Sequence, residues 1–171
     1  GVEIEVRRDD GSVAAANETG EVWARGANVM HGYWRDPDTT AATVRDGWLK
    51  TGDAGYRDQE GFLYLVGRRS DIIKTGAHRV HPRDVEDVIA EIPGVAEVAA
   101  VGVEDELLGQ AIKAFIVAEQ GVTLDLMRIK AHVRAQLPNY KVPKHLEILA
   151  ALPKTASGKV RRNELTQRRA S

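Results

Sequence analysis

The chain has 171 residues, of which 43% are hydrophobic and 29% are charged, and its formal net charge is −1. A chain of this length forms one domain or two small ones, and its near-zero charge excludes a global attraction to nucleic acid or membrane surfaces. It contains no cysteine, which excludes disulfides and thiolate metal sites. It has no apolar run of about 18 residues and no signal-peptide pattern, so we expect a soluble, cytoplasmic protein without a membrane span.

The first 67 residues are predicted to be rich in β-strands. Apolar and charged residues alternate over 2–6, which is the period of a half-buried strand, and a second short strand is predicted over 20–26. An Asp-Pro pair opens a short helix over 36–44, and a strand is predicted over 61–67. This region is too short and irregular for a complete domain. We therefore expect it to be the end of a larger domain in a longer polypeptide.

The pattern changes after residue 67 to alternating helices and strands. The polar, charged segment 68–71 is predicted to be a hinge between two domains. Beyond it, apolar spacing predicts two helices and three further strands, namely helices over 82–92 and 125–137 and strands over 95–103, 111–118 and 145–149. Together with a first strand that leads into segment 75–82, these elements give a small α+β domain over 72–171 with the order β, α, β, β, α, β, and we interpret the last ten residues as a basic helix.

Two short motifs in the β-rich region contain residues that can bind a nucleotide. Thr51-Gly52-Asp53 places a carboxylate after a glycine turn, where it can accept two hydrogen bonds from a ribose diol. Arg68 closes the strand that follows, and its guanidinium fork suits a sugar or a phosphate. Taken singly, each is explained more simply by a turn aspartate that caps its own backbone and by a solvated arginine.

A third motif, segment 75–82, is predicted to run from a strand into a helix. The small side chains of Gly76 and Ala77 would let an extended ligand lie against the backbone, although the glycine is also explained by a need for positive φ alone. His78 and His81 in the same segment have no third ligand and no acid at helical spacing. We therefore do not expect them to bind a metal.

The fourth motif, segment 153–162, places Lys159 directly after a turn of small residues. A lysine on such a loop can neutralise charge that develops on a phosphoryl group in a transition state. The alternative is a flexible, solvated tail. Segment 154–169 has six basic residues and one acid, but no aromatic residue is interleaved for base stacking, so we predict no nucleic-acid partner.

Together, the order and spacing of these four motifs resemble the C-terminal portion of the adenylate-forming, AMP-binding enzyme superfamily, and in particular an AMP-forming acyl-CoA synthetase. The resemblance extends from residue 1 to about residue 162 and includes the upstream segments 20–26 and 32–40. It implies a ligase that uses ATP to activate a carboxylate as an acyl-adenylate and then transfers the acyl group to the thiol of CoA. The implied cofactors are ATP/AMP, CoA and Mg²⁺, with the magnesium ligands in the large N-terminal domain.

The resemblance also implies roles for individual residues. Asp53 and Arg68 match the residues that hold the ribose, and Lys159 matches the catalytic lysine that reaches the carboxylate and the α-phosphate during adenylation. Ser70 matches the pivot about which the small C-terminal lid domain rotates between the two half-reactions.

A second group of residues is implied to bind the pantetheine arm or the phosphates of CoA. Gly76 and Ala77 match the loop that faces the pantetheine tunnel, where many acyl-CoA ligases have two glycines, and Arg79 and Arg134 match positions near the tunnel gate or the CoA phosphates. The phosphate loop and the acyl pocket belong to the N-terminal domain, so we expect this chain alone to be inactive. Two alternatives stay open, an adenylation domain that loads a carrier-protein phosphopantetheine and a non-catalytic module that binds CoA or a partner.

Overall fold

The computed structural model describes residues 1–168 and divides the chain into two compact units, Gly1–Ser70 and Asp71–Ser171. The division lies within the segment 68–71, whose role as a hinge stays a prediction. Both units contain strands and helices, which confirms the predicted α+β class. Within residues 1–168 no helix combines the length and the apolar composition that a membrane span requires.

The first unit, all of which is described, is a five-stranded antiparallel sheet with one short helix. Its elements are β1 (Val2–Arg7), β2 (Gly20–Gly26), α1 (Pro37–Thr43), β3 (Val44–Arg45), β4 (Trp48–Arg57) and β5 (Leu63–Arg68). The strands are ordered β1-β2-β4-β3, and β5 pairs with β4. Asp36 caps α1 by accepting a hydrogen bond from the Thr39 backbone, and Pro37 occupies the first helical turn, as the Asp-Pro pair predicts.

The core of the first unit is small and consists of Val6, Val22, Trp23, Trp48 and Ala54. Trp23 of β2 and Trp48 of β4 are buried, and the guanidinium of Arg7 lies 4.6 Å and 4.7 Å from their ring centroids. Such cation–π contacts contribute about 0.5–2 kcal/mol each. Strand β5 differs, because Tyr64 and Leu65 are 46% and 56% exposed. Most apolar side chains of this strand are therefore exposed within the unit.

The second unit has a five-stranded sheet and three helices within residues 71–168. Its elements are β6 (Ile73–Thr75), β7 (His78–Val80), α2 (Pro82–Ala90), β8 (Val95–Asp105), β9 (Gly109–Ala118), α3 (Leu126–Gln136), β10 (His145–Ile148) and α4 (Arg162–Thr166). Strand β9 is central, antiparallel to β8 and β6 and parallel to β10. Single turns of 3₁₀ helix lie at Arg69–Asp71 and Asn139–Lys141.

Both faces of this second sheet are covered. The apolar stripes of α2 and α3, which include Val85, Ile89, Ile129 and Val133, pack on one face and are at most 1% exposed. On the other face a second cluster surrounds Phe115. Because β9 is covered on both sides, its sequence over 111–117 is a nearly continuous apolar run rather than an alternating one.

Two elements of the second unit differ from the sequence prediction. Segment 75–82 does not run directly from a strand into a helix, because β6 and β7 first form a hairpin. Strands of three residues are too short to show a period of two, so the sequence does not reveal them. The predicted basic helix over the last ten residues is α4, which has five residues, and 169–171 lie outside the described part of the chain.

Candidate functional site

Asp53 and Arg68 are register partners across β4 and β5. The Arg68 Nε lies 3.0 Å from Oδ1 of Asp53, and the Arg68 Nη1 donates to the Thr51 carbonyl at 3.0 Å. The predicted glycine turn before Asp53 is not observed, because β4 continues through Gly52 despite a φ of 73°. The structure thus brings together the two residues that the sequence associates with a ribose, but on a strand pair and not beside a turn.

The Asp53–Arg68 pair is accessible to a ligand. The side chains of Asp53 and Arg68 are 32% and 57% exposed. An exposed ion pair of this kind stabilises a fold by about 0–1 kcal/mol, so its contribution to folding is small. The carboxylate accepts hydrogen bonds and the guanidinium donates them, so the pair offers an acceptor for sugar hydroxyls beside a donor for a phosphate.

Lys159 lies on a tight hairpin. Lys154 and Val160 form an antiparallel bridge, and the Thr155 backbone donates to the Lys159 carbonyl at 2.8 Å. The Lys159 backbone donates to the Thr155 hydroxyl at 3.1 Å, and Gly158 turns the chain with a φ of 82°, a conformation that favours glycine. The segment is a hydrogen-bonded hairpin, which argues against the alternative of an unstructured tail.

The two lysines of this hairpin have different surroundings. The Lys154 Nζ lies 2.6 Å from Glu97 of β8. The side chain of Lys159 is exposed, and its ammonium has no hydrogen-bond or ion-pair partner among residues 1–168. Lys154 is therefore occupied by an exposed ion pair that contributes about 0–1 kcal/mol, whereas Lys159 presents a cation to an external anion.

The base of the hairpin is held by the second unit. Leu152 before it and Leu165 after it are 6% and 0% exposed in the cluster around Phe115. Arg162 forms a bidentate ion pair with Glu86 of α2. Sequence reasoning missed Arg162, because its partner is 76 positions away and no local pattern connects the two.

The Gly76–Ala77 loop connects β6 and β7, which pair from Thr75 to His78. Gly76 has a φ of 57°, and Ala77 is not among the residues with positive φ. A positive φ at the first loop position, but not at the second, is typical of a type II′ turn. Such a turn requires glycine at its first position and accepts alanine at its second. The departure from two glycines is therefore compatible with the backbone of this loop.

A cleft of about 460 Å³ adjoins this loop. Its walls include Gly76, Ala77, Leu108 and the rings of His78 and Tyr140, which stack at a centroid distance of 4.0 Å. The Gly76 backbone donates to the Leu108 carbonyl at 2.9 Å and so fixes the loop to the β8–β9 turn. A cleft with mostly apolar and aromatic walls suits a narrow aliphatic chain.

The remaining predicted residues lie on separate elements. Arg79 is exposed on β7, and Arg134 is exposed in the last turn of α3. Ser70 is the central residue of the 3₁₀ turn Arg69–Asp71. Arg69 contacts Glu21 of the first unit at 3.2 Å, so the residue before Ser70 is held by that unit.

The two histidines of segment 75–82 have different surroundings. The His78 ring stacks on Tyr140, and His81 occupies the N-cap of α2. Partial burial lowers the pKa of the His81 imidazole, which favours its neutral form. Among residues 1–168, no three His, Cys, Asp or Glu side chains are grouped so as to hold a metal ion.

Comparison with known proteins places these features in a family. Residues 84–159 match the AMP-binding enzyme C-terminal domain. The chain is 44% identical over 159 residues to a long-chain-fatty-acid–CoA ligase of Bacillus subtilis, which covers 93% of this chain and 28% of that protein. Its fold matches the o-succinylbenzoate CoA synthetase of Bacillus subtilis in complex with the acyl-adenylate intermediate OSB-AMP, with a TM-score of 0.91 and 38% identity over 98% of this chain and 34% of that one.

An amide bond synthetase of Marinactinospora thermotolerans is similar to the same degree, with a TM-score of 0.90 and 40% identity over 96% of this chain and 34% of that one. The chain thus spans about a third of the length of the relatives that it matches. These similarities confirm the family that the four motifs indicate. The chain thus contains, over residues 84–159, a member of the AMP-binding enzyme C-terminal domain family, and it corresponds to the C-terminal portion of the adenylate-forming enzymes that it matches.

Proposed function

We propose that this chain is the C-terminal part of an ATP-dependent, AMP-forming acyl-CoA ligase. The observation that carries the proposal is Lys159, an exposed cation without a partner among residues 1–168 on a hydrogen-bonded hairpin. A relative at 44% identity is named as a long-chain-fatty-acid–CoA ligase, and a similar structure holds an acyl-adenylate intermediate. The ligase and the acyl-adenylate complex both fit a reaction that passes through an acyl-adenylate and transfers the acyl group to CoA.

In the proposed first half-reaction, a carboxylate oxygen attacks the α-phosphorus of ATP and pyrophosphate leaves. Negative charge accumulates on the transferring phosphoryl group and on the leaving pyrophosphate. The Lys159 ammonium stabilises this charge as a compact cation with three donors. The Asp53 carboxylate accepts hydrogen bonds from the ribose hydroxyls, and Arg68 holds that carboxylate and reaches the sugar or phosphate.

In the proposed second half-reaction, the CoA sulfur attacks the acyl carbon, its thiol proton passes to solvent, and the bond from the acyl carbon to the AMP oxygen breaks so that AMP leaves. The Gly76–Ala77 loop and the adjoining cleft line the path of the pantetheine arm, since their apolar walls suit an aliphatic chain. Arg79 and Arg134 bind the CoA phosphates at the surface. Mg²⁺ neutralises the ATP phosphates when bound, and its ligands belong to the N-terminal part of the enzyme.

The proposal also assigns the domain organisation. Residues 1–67 belong to the large adenylation domain, 68–71 form the hinge with Ser70 as the pivot, and 72–171 form the mobile lid. A lid that rotates allows Lys159 to serve the first half-reaction and the Gly76–Ala77 loop to serve the second. Hinge residues are often small, and serine is a small residue.

The experiment that tests the proposal separates the two half-reactions in the full-length protein. Lys159→Ala is expected to lower carboxylate-dependent ATP–pyrophosphate exchange about 10²–10³-fold, as for loss of one stabilising donor. Thioester formation from supplied acyl-adenylate should change far less. The matched control is Lys154→Ala, which removes a lysine of the same hairpin that is paired with Glu97.

Two results would contradict the proposal. One is an equal loss of both half-reactions in Lys159→Ala, and the other is robust pyrophosphate exchange by residues 1–171 alone. The acceptor is tested in the same assay by replacing CoA with a carrier-protein phosphopantetheine or with an amine. Preference for CoA supports the ligase, whereas preference for either of the others reassigns the second half-reaction only.

A further inference from the structure

Arg162 makes more polar contacts than any neighbouring side chain of the hairpin. Its Nη1 and Nη2 donate to the two oxygens of Glu86 at 2.6 Å and 3.1 Å, and Nη1 also donates to the Ala100 carbonyl at 2.8 Å. Its Nε lies 3.3 Å from Oδ2 of Asp71. One guanidinium thus contacts helix α2, strand β8 and the first residue of the second unit.

These contacts are partly shielded from water, which distinguishes them from the surface pairs of the same segment. The side chains of Arg162, Glu86 and Asp71 are 28%, 15% and 29% exposed. Arg161, the preceding residue, pairs with Glu164 at 48% and 46% exposure. Bidentate arginine–carboxylate pairs fix orientation as well as contributing energy, and the guanidinium geometry cannot be reproduced by lysine.

The position of Arg162 in the chain gives this clamp a consequence for Lys159. Arg162 follows Lys159 by three residues, and the intervening Arg161 backbone donates to the Pro153 carbonyl at 2.8 Å, which closes the hairpin. The hairpin itself is exposed at its tip over 156–159. Its orientation relative to the sheet is therefore determined at its base, where Arg162 lies.

We propose that Arg162 is a positioning residue for Lys159, which it serves by tying the lysine hairpin to α2 and to Asp71. Asp71 directly follows Ser70, the proposed pivot. Any rotation about Ser70 is then transmitted through the Asp71–Arg162–Glu86 network to the hairpin, so that Lys159 moves with the lid as one rigid body. This inference rests on the proposed function of Lys159.

A double-mutant cycle in the full-length protein tests the inference. Arg162→Ala is expected to lower ATP–pyrophosphate exchange about 10–100-fold through kcat, with little change in the KM for ATP and in thioester formation from supplied acyl-adenylate. In the Lys159→Ala background, Arg162→Ala should cause no further loss, because it acts only through that lysine. Arg161→Ala is the matched control and should stay within about twofold.

Two further measurements keep the inference falsifiable if Arg162→Ala folds poorly. Glu86→Gln preserves the size of the partner and removes its charge, and it should lower exchange in the same selective manner, about 10-fold. In residues 1–171 alone, Arg162→Ala should accelerate hydrogen exchange of the Thr155 and Lys159 amides, whereas Arg161→Ala should not. That second measurement is independent of any enzymatic activity.

The outcomes distinguish this inference from the proposed function. Additive losses in the cycle, equal loss of both half-reactions or unchanged amide exchange would overturn the positioning role while leaving Lys159 as the catalytic residue. If Lys159→Ala itself leaves pyrophosphate exchange intact, the proposed function fails, and the positioning role fails with it. The positioning role of Arg162 is supported if Arg162→Ala lowers only pyrophosphate exchange, causes no further loss in the Lys159→Ala background and accelerates amide exchange.

Discussion

The two units of this chain differ in how they bury apolar surface. In the second unit, helices cover one face of the sheet and the cluster around Phe115 covers the other, so β9 is buried on both sides. In the first unit, most side chains of β5 stay exposed, and the buried apolar residues are few, namely Val6, Val22, Trp23, Trp48 and Ala54. The second unit therefore contains a complete core, whereas the first depends more on strand pairing and on surface contacts.

The difference indicates where stability resides. Burial of an apolar side chain contributes about 1.5–3 kcal/mol, whereas exposed ion pairs contribute about 0–1 kcal/mol each. The first unit has several pairs of the latter kind, such as Arg25–Glu3 and Arg8–Glu18. We therefore expect the second unit to unfold at higher denaturant concentration than the first.

The largest effect is expected for Phe115→Ala, which should destabilise the second unit by about 3–5 kcal/mol. Phe115 is 0% exposed, and alanine would leave a cavity between the sheet and the residues that cover it. The units can be followed separately during urea unfolding. All three tryptophans lie within 1–70, whereas α2 and α3 of the second unit dominate circular dichroism at 222 nm.

Phe115→Ala should shift the circular dichroism transition and leave the tryptophan fluorescence transition in place. Tyr64→Ala is the control in the first unit. Because Tyr64 is 46% exposed, this substitution should lower the free energy of unfolding obtained from the fluorescence transition by less than about 1 kcal/mol. A single transition that moves equally in both signals would show that the two units unfold together. The second unit would then not unfold at a higher denaturant concentration than the first.

The sequence predicts the long elements of the second unit better than its short ones, but in the first unit it does not predict β4, which has ten residues. The apolar stripes of α2 and α3 are evident from their periodicity, strands β8 and β9 are evident from their apolar runs, and the four motifs identify the family. The β6–β7 hairpin and the contacts of Arg162 are not predicted. Three-residue strands show no period, and an ion pair across 76 positions depends on tertiary packing.

An intermediate effect is expected for Gly76→Ala, which tests the turn that the sequence did not predict. Gly76 has a φ of 57°, where alanine costs about 1–2 kcal/mol. An added Cβ would meet only the Leu108 side chain at 3.7 Å, so backbone strain and not a clash determines the loss. The free energy of unfolding obtained from the circular dichroism transition should fall by that amount. For Ala77→Gly the same free energy should fall by less than about 1 kcal/mol. Equal effects at both positions would contradict a type II′ turn.

The smallest effect is expected from His81 and concerns the pH dependence of the second unit. Its Nδ1 is buried without a hydrogen-bond partner among residues 1–168, and Asp84 and Lys141 are the charged groups that face it. Burial lowers the pKa of His81 in the folded state, with Asp84 opposing and Lys141 reinforcing that effect. The folded protein therefore resists protonation of this imidazole.

As pH falls below about 6.5, the unfolded chain takes up a proton at His81 that the folded unit does not. Stability is thus lost between about pH 7 and the lowered pKa, with a slope of at most about 1.4 kcal/mol per pH unit for one group. His81→Gln should flatten this slope in urea unfolding between pH 7.5 and 5, whereas His31→Gln, at an exposed position of the first unit, should not. Asp105 does not contribute in this window, because its pKa is lowered from 3.8 and its charge is lost only under more acidic conditions. An unchanged slope in His81→Gln would show that this histidine is solvated in the folded unit.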